Sequence, residues 1–163
     1  MTLIWYTELN DALNEALNYI KKQAPGAKVL VLSRYDKEYY GELDYSRFSS
    51  MSKEHQLNLY IEPVTEFLTI SSSKDKQVDY VILYGLQSGA HGFPSMVEDD
   101  PILNLVLADR DGYPNAEERR VFYVAVTRAR GRVYLLANKS KVSSFVTEII
   151  SEYQDLEVIG CPP

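Results

Sequence analysis

The 163 residues suit one domain and are enough to bury a core, and 45% hydrophobic with 25% charged residues is the balance of a folded globular chain. A net charge of −6 argues against a broad basic surface that coats nucleic acid, but is compatible with a module holding one strand through amides and hydroxyls. No apolar run approaches the ~20 residues needed to cross a bilayer, no signal peptide is visible, and a single cysteine, Cys161, excludes an internal disulfide framework and suits a reducing cytoplasm.

Leu9, Leu13, Ala16, Leu17 and Ile20 recur at helical spacing, and Pro25-Gly26 stops that helix. Lys28 to Leu32, Tyr80 to Tyr84 and Val133 to Ala137 are apolar runs without alternation, the signature of central strands covered on both faces, as in parallel sheets. Phe67 to Ser71 reads as a weaker fourth strand, and serine-rich Ser46 to Lys53 as a surface loop. Helices are expected at Asp99 to Leu107, Ala116 to Ala129 and Val142 to Tyr153. The alternation of strands and helices predicts a three-layer α/β domain with a mainly parallel sheet. The thirteen tyrosines scatter without a repeat, and most are expected at the core margin with wet hydroxyls.

The segment Glu117 to Arg130 carries the most chemistry. Asn115 is a candidate N-cap with Glu118 three residues on, close to a capping box, and the acids Glu117 and Glu118 suit a first helical turn. Glu117, Val121, Val124 and Arg128 fall on one helical face, so Arg128 ends a partly apolar stripe, where its fork needs an acceptor such as phosphate or carboxylate. Arg34 follows directly on a buried-type strand, a place where ligands bind in α/β sheets. Thr69, Ser71, Ser72 and Ser73 cluster hydroxyls at a strand end, a grouping that occurs in plain turns and also in contacts to nucleic-acid backbones. His55 and His91 have no metal-ligand spacing. Asp99-Asp100 before Pro101 read as acids at a helix start. No Gly-x-x-x-x-Gly-Lys-Ser/Thr is present, so this chain has no Walker A loop of its own.

Glu117 to Arg130 resembles the last motif of the UvrD/Rep-type superfamily 1 DNA helicases, roughly Glu-Glu-Arg-Arg-Leu-x-Tyr-Val-Ala-x-Thr-Arg-Ala. Two other segments agree in the family's order. Val31 to Arg34 resembles the fourth motif, and Leu68 to Leu83 the fifth, Thr-x-His-x-x-Lys-Gly-Leu-Glu followed by an apolar strand. The stretch from Gly85 to Pro94 is similar to helicase IV-like members in particular. The chain departs from the pattern at Ser71 for histidine, Asp75 for glycine, Gln77 for glutamate, and at Ser33 where relatives often place an aromatic.

The resemblance implies the second RecA-like motor domain of an ATP-dependent helicase moving 3′ to 5′ on single-stranded DNA, residues 1–163 forming one domain of a longer chain. It implies that Arg34 and Arg128 reach the γ-phosphate across a cleft, that Lys74 and Gln77 lie toward the nucleotide, and that Thr69, Ser71, Ser72 and Ser73 touch DNA. ATP and Mg2+ would be held mainly by an N-terminal RecA-like partner domain. The interval between Arg34 and Thr69 is too short for the large subdomain that UvrD-type enzymes carry there. A degenerate helicase half serving as a protein-interaction module is the alternative, supported by Ser71, Asp75 and Gln77. A stand-alone small-molecule-binding domain is a further one, opposed by the paired arginine motifs.

Overall fold

A computed structural model describes residues 1–36, 43, 64–95 and 114–163. The described elements are β1 (Thr2–Tyr6), α1 (Leu9–Gln23), β2 (Lys28–Ser33), β3 (Val64–Thr69), a 3-10 turn (Ser71–Ser73), β4 (Val78–Leu86), α2 (Ala116–Val126), β5 (Ala129–Asn138), α3 (Ser144–Glu152) and β6 (Glu157–Ile159). The strands form one sheet in the order β3-β2-β4-β5-β1-β6, and every neighbouring pair is parallel. The expected helix at Asp99 to Leu107, the Ser46 to Lys53 loop, Asp99-Asp100 and His55 lie outside the described residues.

Alternate residues of each strand serve different layers. Val29, Val31, Ile82, Tyr134 and Leu136 face Leu9, Leu13, Ala16, Leu17 and Ile20 of α1 in one core. Leu30, Leu32, Val81, Leu83, Val133 and Leu135 form the other with Ala125 of α2 and Phe145, Val146 and Ile149 of α3. A strand covered on both faces has no wet side, and this is why the apolar runs do not alternate. The domain is therefore a three-layer α/β fold with a parallel sheet. Among the described residues no helix is long and apolar enough to cross a membrane.

Several boundaries differ from the sequence expectation, each for a local reason. β1 and β6 were not expected. β1 is five residues long and wholly buried, whereas β6 is three residues long and mostly exposed, too short for a periodic signal. The strand expected at Phe67 to Ser71 runs instead from Val64 to Thr69, because the chain turns into the 3-10 segment once Ile70 N has donated to Ser33 O at 2.9 Å. α3 starts two residues after Val142 because Ser143 is its cap, its Oγ accepting from Phe145 N at 3.2 Å. Tyr134 is an exception among the tyrosines: it is 1% exposed, its hydroxyl has no hydrogen-bond partner, and burial pushes the phenol pKa up.

Phe93 fastens the loop after β4 to both helices of the second layer. It is fully buried, its ring centroid lies 5.9 Å from that of Phe122 and 5.5 Å from that of Phe145, and its carbonyl accepts from Ser143 Oγ. Outside this cluster, Arg119 bridges Glu148 of α3 and stacks 5.5 Å from the Phe145 ring. The hydrogen bond from Arg119 holds the Glu148 carboxyl below the ordinary range, so what this tie contributes is present above the ordinary glutamate pKa and fades as pH falls below it. Phe93→Ala is expected to cost about 3–5 kcal/mol in urea or thermal unfolding, since it removes an aromatic ring from a packed cluster and leaves a cavity. A loss below about 1 kcal/mol would mean that the loop is not packed against α2 and α3.

Candidate functional site

In a parallel sheet all strands end at one edge and begin at the other, and the two families of expected site residues divide accordingly. At the C-terminal edge Ser33 is in register with Thr69, so Arg34 leaves β2 beside the hydroxyl-rich turn. At the N-terminal edge Val78 is in register with Ala129, and Val78 N donates to Arg128 O at 3.0 Å. α2 runs back from the first edge to the second, with Glu118 near its start and Arg128 just beyond its end.

At the C-terminal edge the fork of Arg34 closes on Glu118. Its Nε donates to Oε1 and Oε2 at 3.0 and 3.2 Å, and its Nη2 donates to Oε1 at 2.8 Å. The second carboxylate oxygen also accepts from Ser95 N at 3.0 Å. Tyr35 packs its ring 5.2 Å from the guanidinium and donates its hydroxyl to Ser95 Oγ at 2.6 Å, with His91 set edge-on to the ring at 5.7 Å. The end of β2, the loop after β4 and the first turn of α2 thus meet in one polar cluster.

Glu118 was read as half of a capping box, and the structure corrects this. Asn115 sits at φ 55° and ψ 33° with no side-chain cap, and Glu118 turns inward, only 8% exposed. The inward face of α2 is Glu118, Val121, Phe122 and Ala125, while Glu117 is exposed and pairs with Arg120 at 3.0 Å. The signal was present in the sequence. Glu118 stands three and four residues before Val121 and Phe122, and a carboxylate on an apolar stripe needs a cation.

Beside this cluster, Thr69 Oγ1 donates to Ser72 Oγ at 2.9 Å and accepts from Ser72 N at 3.2 Å, so the turn is fixed by its own hydroxyls. Ser71 and Ser72 are exposed and Thr69 is partly exposed. Ser73 is not among the surface groups. It is fully buried and donates to Ile70 O at 2.7 Å, a structural bond that takes it out of the expected DNA-contacting set.

At the N-terminal edge Arg128 is held by neutral acceptors. Its Nε donates to Val124 O at 3.0 Å, its Nη1 to Lys74 O, and its Nη2 to Thr127 Oγ1 at 3.2 Å. Thr127 in turn donates to Tyr123 O at 2.9 Å and Val124 O at 3.1 Å, closing the last turn of α2. Among the described residues Arg34, Arg119, Arg120 and Arg132 each pair with a carboxylate, and Arg128 pairs with none. Lys74 and Gln77 are exposed on the same approach to β4, and Lys76 pairs with Glu66. This edge gathers Arg128, the Lys74 ammonium and the Gln77 amide, groups suited to phosphate oxygens. No group of three His, Cys, Asp or Glu that could hold a metal occurs among the described residues.

Arg34 and Arg128 are held at different points of α2: one head is fastened at residue 118 and the other at residue 124, about 9 Å along the axis.

The sequence matches the UvrD-like helicase C-terminal domain over residues 8–140. It is 36% identical over 146 residues to DNA helicase IV of Escherichia coli strain K12, covering 90% of this chain and 19% of that protein, so the chain spans about a fifth of its relative's length. With the parallel α/β fold and the ordered motifs placed on its two edges, the match shows that the chain belongs to the UvrD-like helicase C-terminal domain family.

Proposed function

We propose that this domain is the second motor half of an ATP-driven translocase on single-stranded DNA, with its N-terminal sheet edge turned to the nucleotide and its C-terminal edge to the strand. The observation that carries the nucleotide side is Arg128. A guanidinium with neutral acceptors and no carboxylate in contact has no paired countercharge, and exchanging a carbonyl for a phosphate oxygen replaces a neutral acceptor by an anionic one that the planar fork suits better. Lys74 and Gln77 flank that approach. ATP with Mg2+, held chiefly by an N-terminal RecA-like partner domain, would supply the phosphoryl group, and Arg128 would offset charge on it as an arginine supplied from a second domain does in other phosphoryl-transfer enzymes. Arg34, expected to join it, is better assigned to the opposite edge. There it stands beside Thr69, Ser71 and Ser72, a cation and hydroxyls that suit a nucleic-acid backbone without reading bases. The place of such a motor is the cytoplasm.

On this reading the 163-residue chain alone hydrolyses no ATP, with or without single-stranded DNA, because it lacks a Walker A cradle. Phosphate release that survives repurification and vanishes with Arg128→Ala would sink it. In a longer protein carrying both motor halves, Arg128→Lys keeps the charge and loses the planar fork. Turnover is expected to fall by more than about 10-fold, with the DNA concentration for half-maximal stimulation little changed, because the fork acts mainly in the transition state. A fully active Arg128→Lys enzyme would remove the catalytic role. A lowered melting temperature with unchanged turnover would leave Arg128 as a clasp between α2 and the Lys74 turn, in keeping with a degenerate half that serves as an interaction module.

A further inference from the structure

We propose that Glu118 is the positioning residue for the DNA-facing edge: its carboxylate sets the plane of the Arg34 fork so that this cation meets a strand phosphate beside the Thr69–Ser72 hydroxyls. The proposal rests on the assignment of that edge to DNA. Two oxygens on Nε and Nη2 fix a planar guanidinium more firmly than one contact could, and the Ser95 amide on the second oxygen keeps the carboxylate from rotating. The Tyr35 ring lies against the guanidinium, and its hydroxyl reaches the same Ser95 residue. Arg34 is thus oriented by two other stretches of chain, with the ring of its own neighbour Tyr35 against it.

Stability alone is a poor reason for the arrangement. A glutamate whose side chain is 11% exposed has lost much of its hydration, and apolar residues of similar size in the place of a buried ion pair are often as stable. What the pair does provide is a cation held at a fixed point, one residue beyond Ser33, which is in register with Thr69. A phosphodiester suits that point because the hydroxyls of Thr69, Ser71 and Ser72 and a backbone turn stand beside the strand end that carries the arginine.

Two effects of Glu118 oppose each other, and this makes the proposal testable. As a counter-charge it weakens attraction for DNA; as a positioning group it strengthens it. The probe is a fluorescein-labelled oligothymidylate of about 12 nucleotides, titrated with the 163-residue chain by anisotropy over a salt series, with melting curves on every variant. Arg34→Ala and Glu118→Gln are each expected to weaken binding by about 10-fold, the worth of one charge-assisted hydrogen bond. Each should reduce the slope of log K against log salt by about 0.7, one single-strand phosphate. The double variant should bind no more weakly than Arg34→Ala alone, since Glu118 acts through Arg34. Glu118→Asp keeps the charge but cannot reach the fork and the Ser95 amide together, so it should resemble Glu118→Gln.

Tighter or unchanged binding by folded Glu118→Gln, with weakened Arg34→Ala, would overturn the positioning role and leave Glu118 a counter-charge. Should Glu118→Gln fail to fold, Arg34→Lys decides: a loss close to that of Arg34→Ala supports an oriented fork, and wild-type binding refutes it. If Arg34→Ala and Thr69→Val both leave affinity unchanged, the edge is not a DNA surface, and the assignment on which the proposal stands falls with it.

Discussion

The parallel sheet imposes one constraint from which most of this domain's chemistry follows. When every strand points the same way, each connection must carry the chain from the edge where strands end to the edge where they begin. α2 is such a connection, leaving the end of β4 and delivering the chain to the start of β5. A single motif written along it therefore has one foot on each edge, Glu118 at the first and Arg128 at the second. The turn after β3 makes the same crossing, with Thr69 at the first edge and Gln77 before the second. Contiguous residues are separated in function, and distant ones are joined: Arg34 with Glu118, and Arg128 with Lys74.

Their partners make the two arginines chemically different despite their common side chain. The Arg34 side chain is 25% exposed and faces a carboxylate that is more deeply buried still. Removing either partner would strand a charge away from water, so this contact is hard to break and serves to hold shape. The guanidinium of Arg128 donates to two carbonyls and a hydroxyl, all neutral groups. Those bonds are weaker than a bond to an anion, and losing them leaves no buried countercharge behind. One arginine is built to stay in place, and the other is free to be recruited by a stronger acceptor at small cost.

The layers were legible in the sequence because their cause is composition. Lys28 to Leu32 and Val133 to Ala137 are apolar at successive positions, and only a strand between two helical layers buries both sides. α1 was equally plain, its Leu9, Leu13 and Ile20 repeating at helical intervals. The short strands escaped because β6 has three residues and little burial to mark it. The candidate site was legible one residue at a time and not as pairs. Periodicity named Arg128, but the inward face of α2 was displaced by one residue, and so Glu118 was read as a cap. Which partner an arginine takes depends on which strands lie side by side, and strand order is set by long-range packing that no local window contains.

The departures from the family's fifth motif acquire a physical meaning from this placement. The turn after β3 draws its shape from Thr69 and Ser72 hydrogen-bonding to each other, from Ser73 on Ile70 O, and from Lys76 N on Ser73 O at 2.9 Å. None of these bonds uses the side chain of Ser71, Asp75 or Gln77, all of which are exposed. A change at such positions alters what the turn presents while its path stays the same. Gln77 in place of an acid keeps a hydrogen-bonding group and removes a negative charge from the edge that carries Arg128. The acids that remain near the start of β4 are Asp75, exposed in the turn, and Asp79, whose Oδ2 accepts from Lys28 N at 2.9 Å, and Arg128 donates to neither of them.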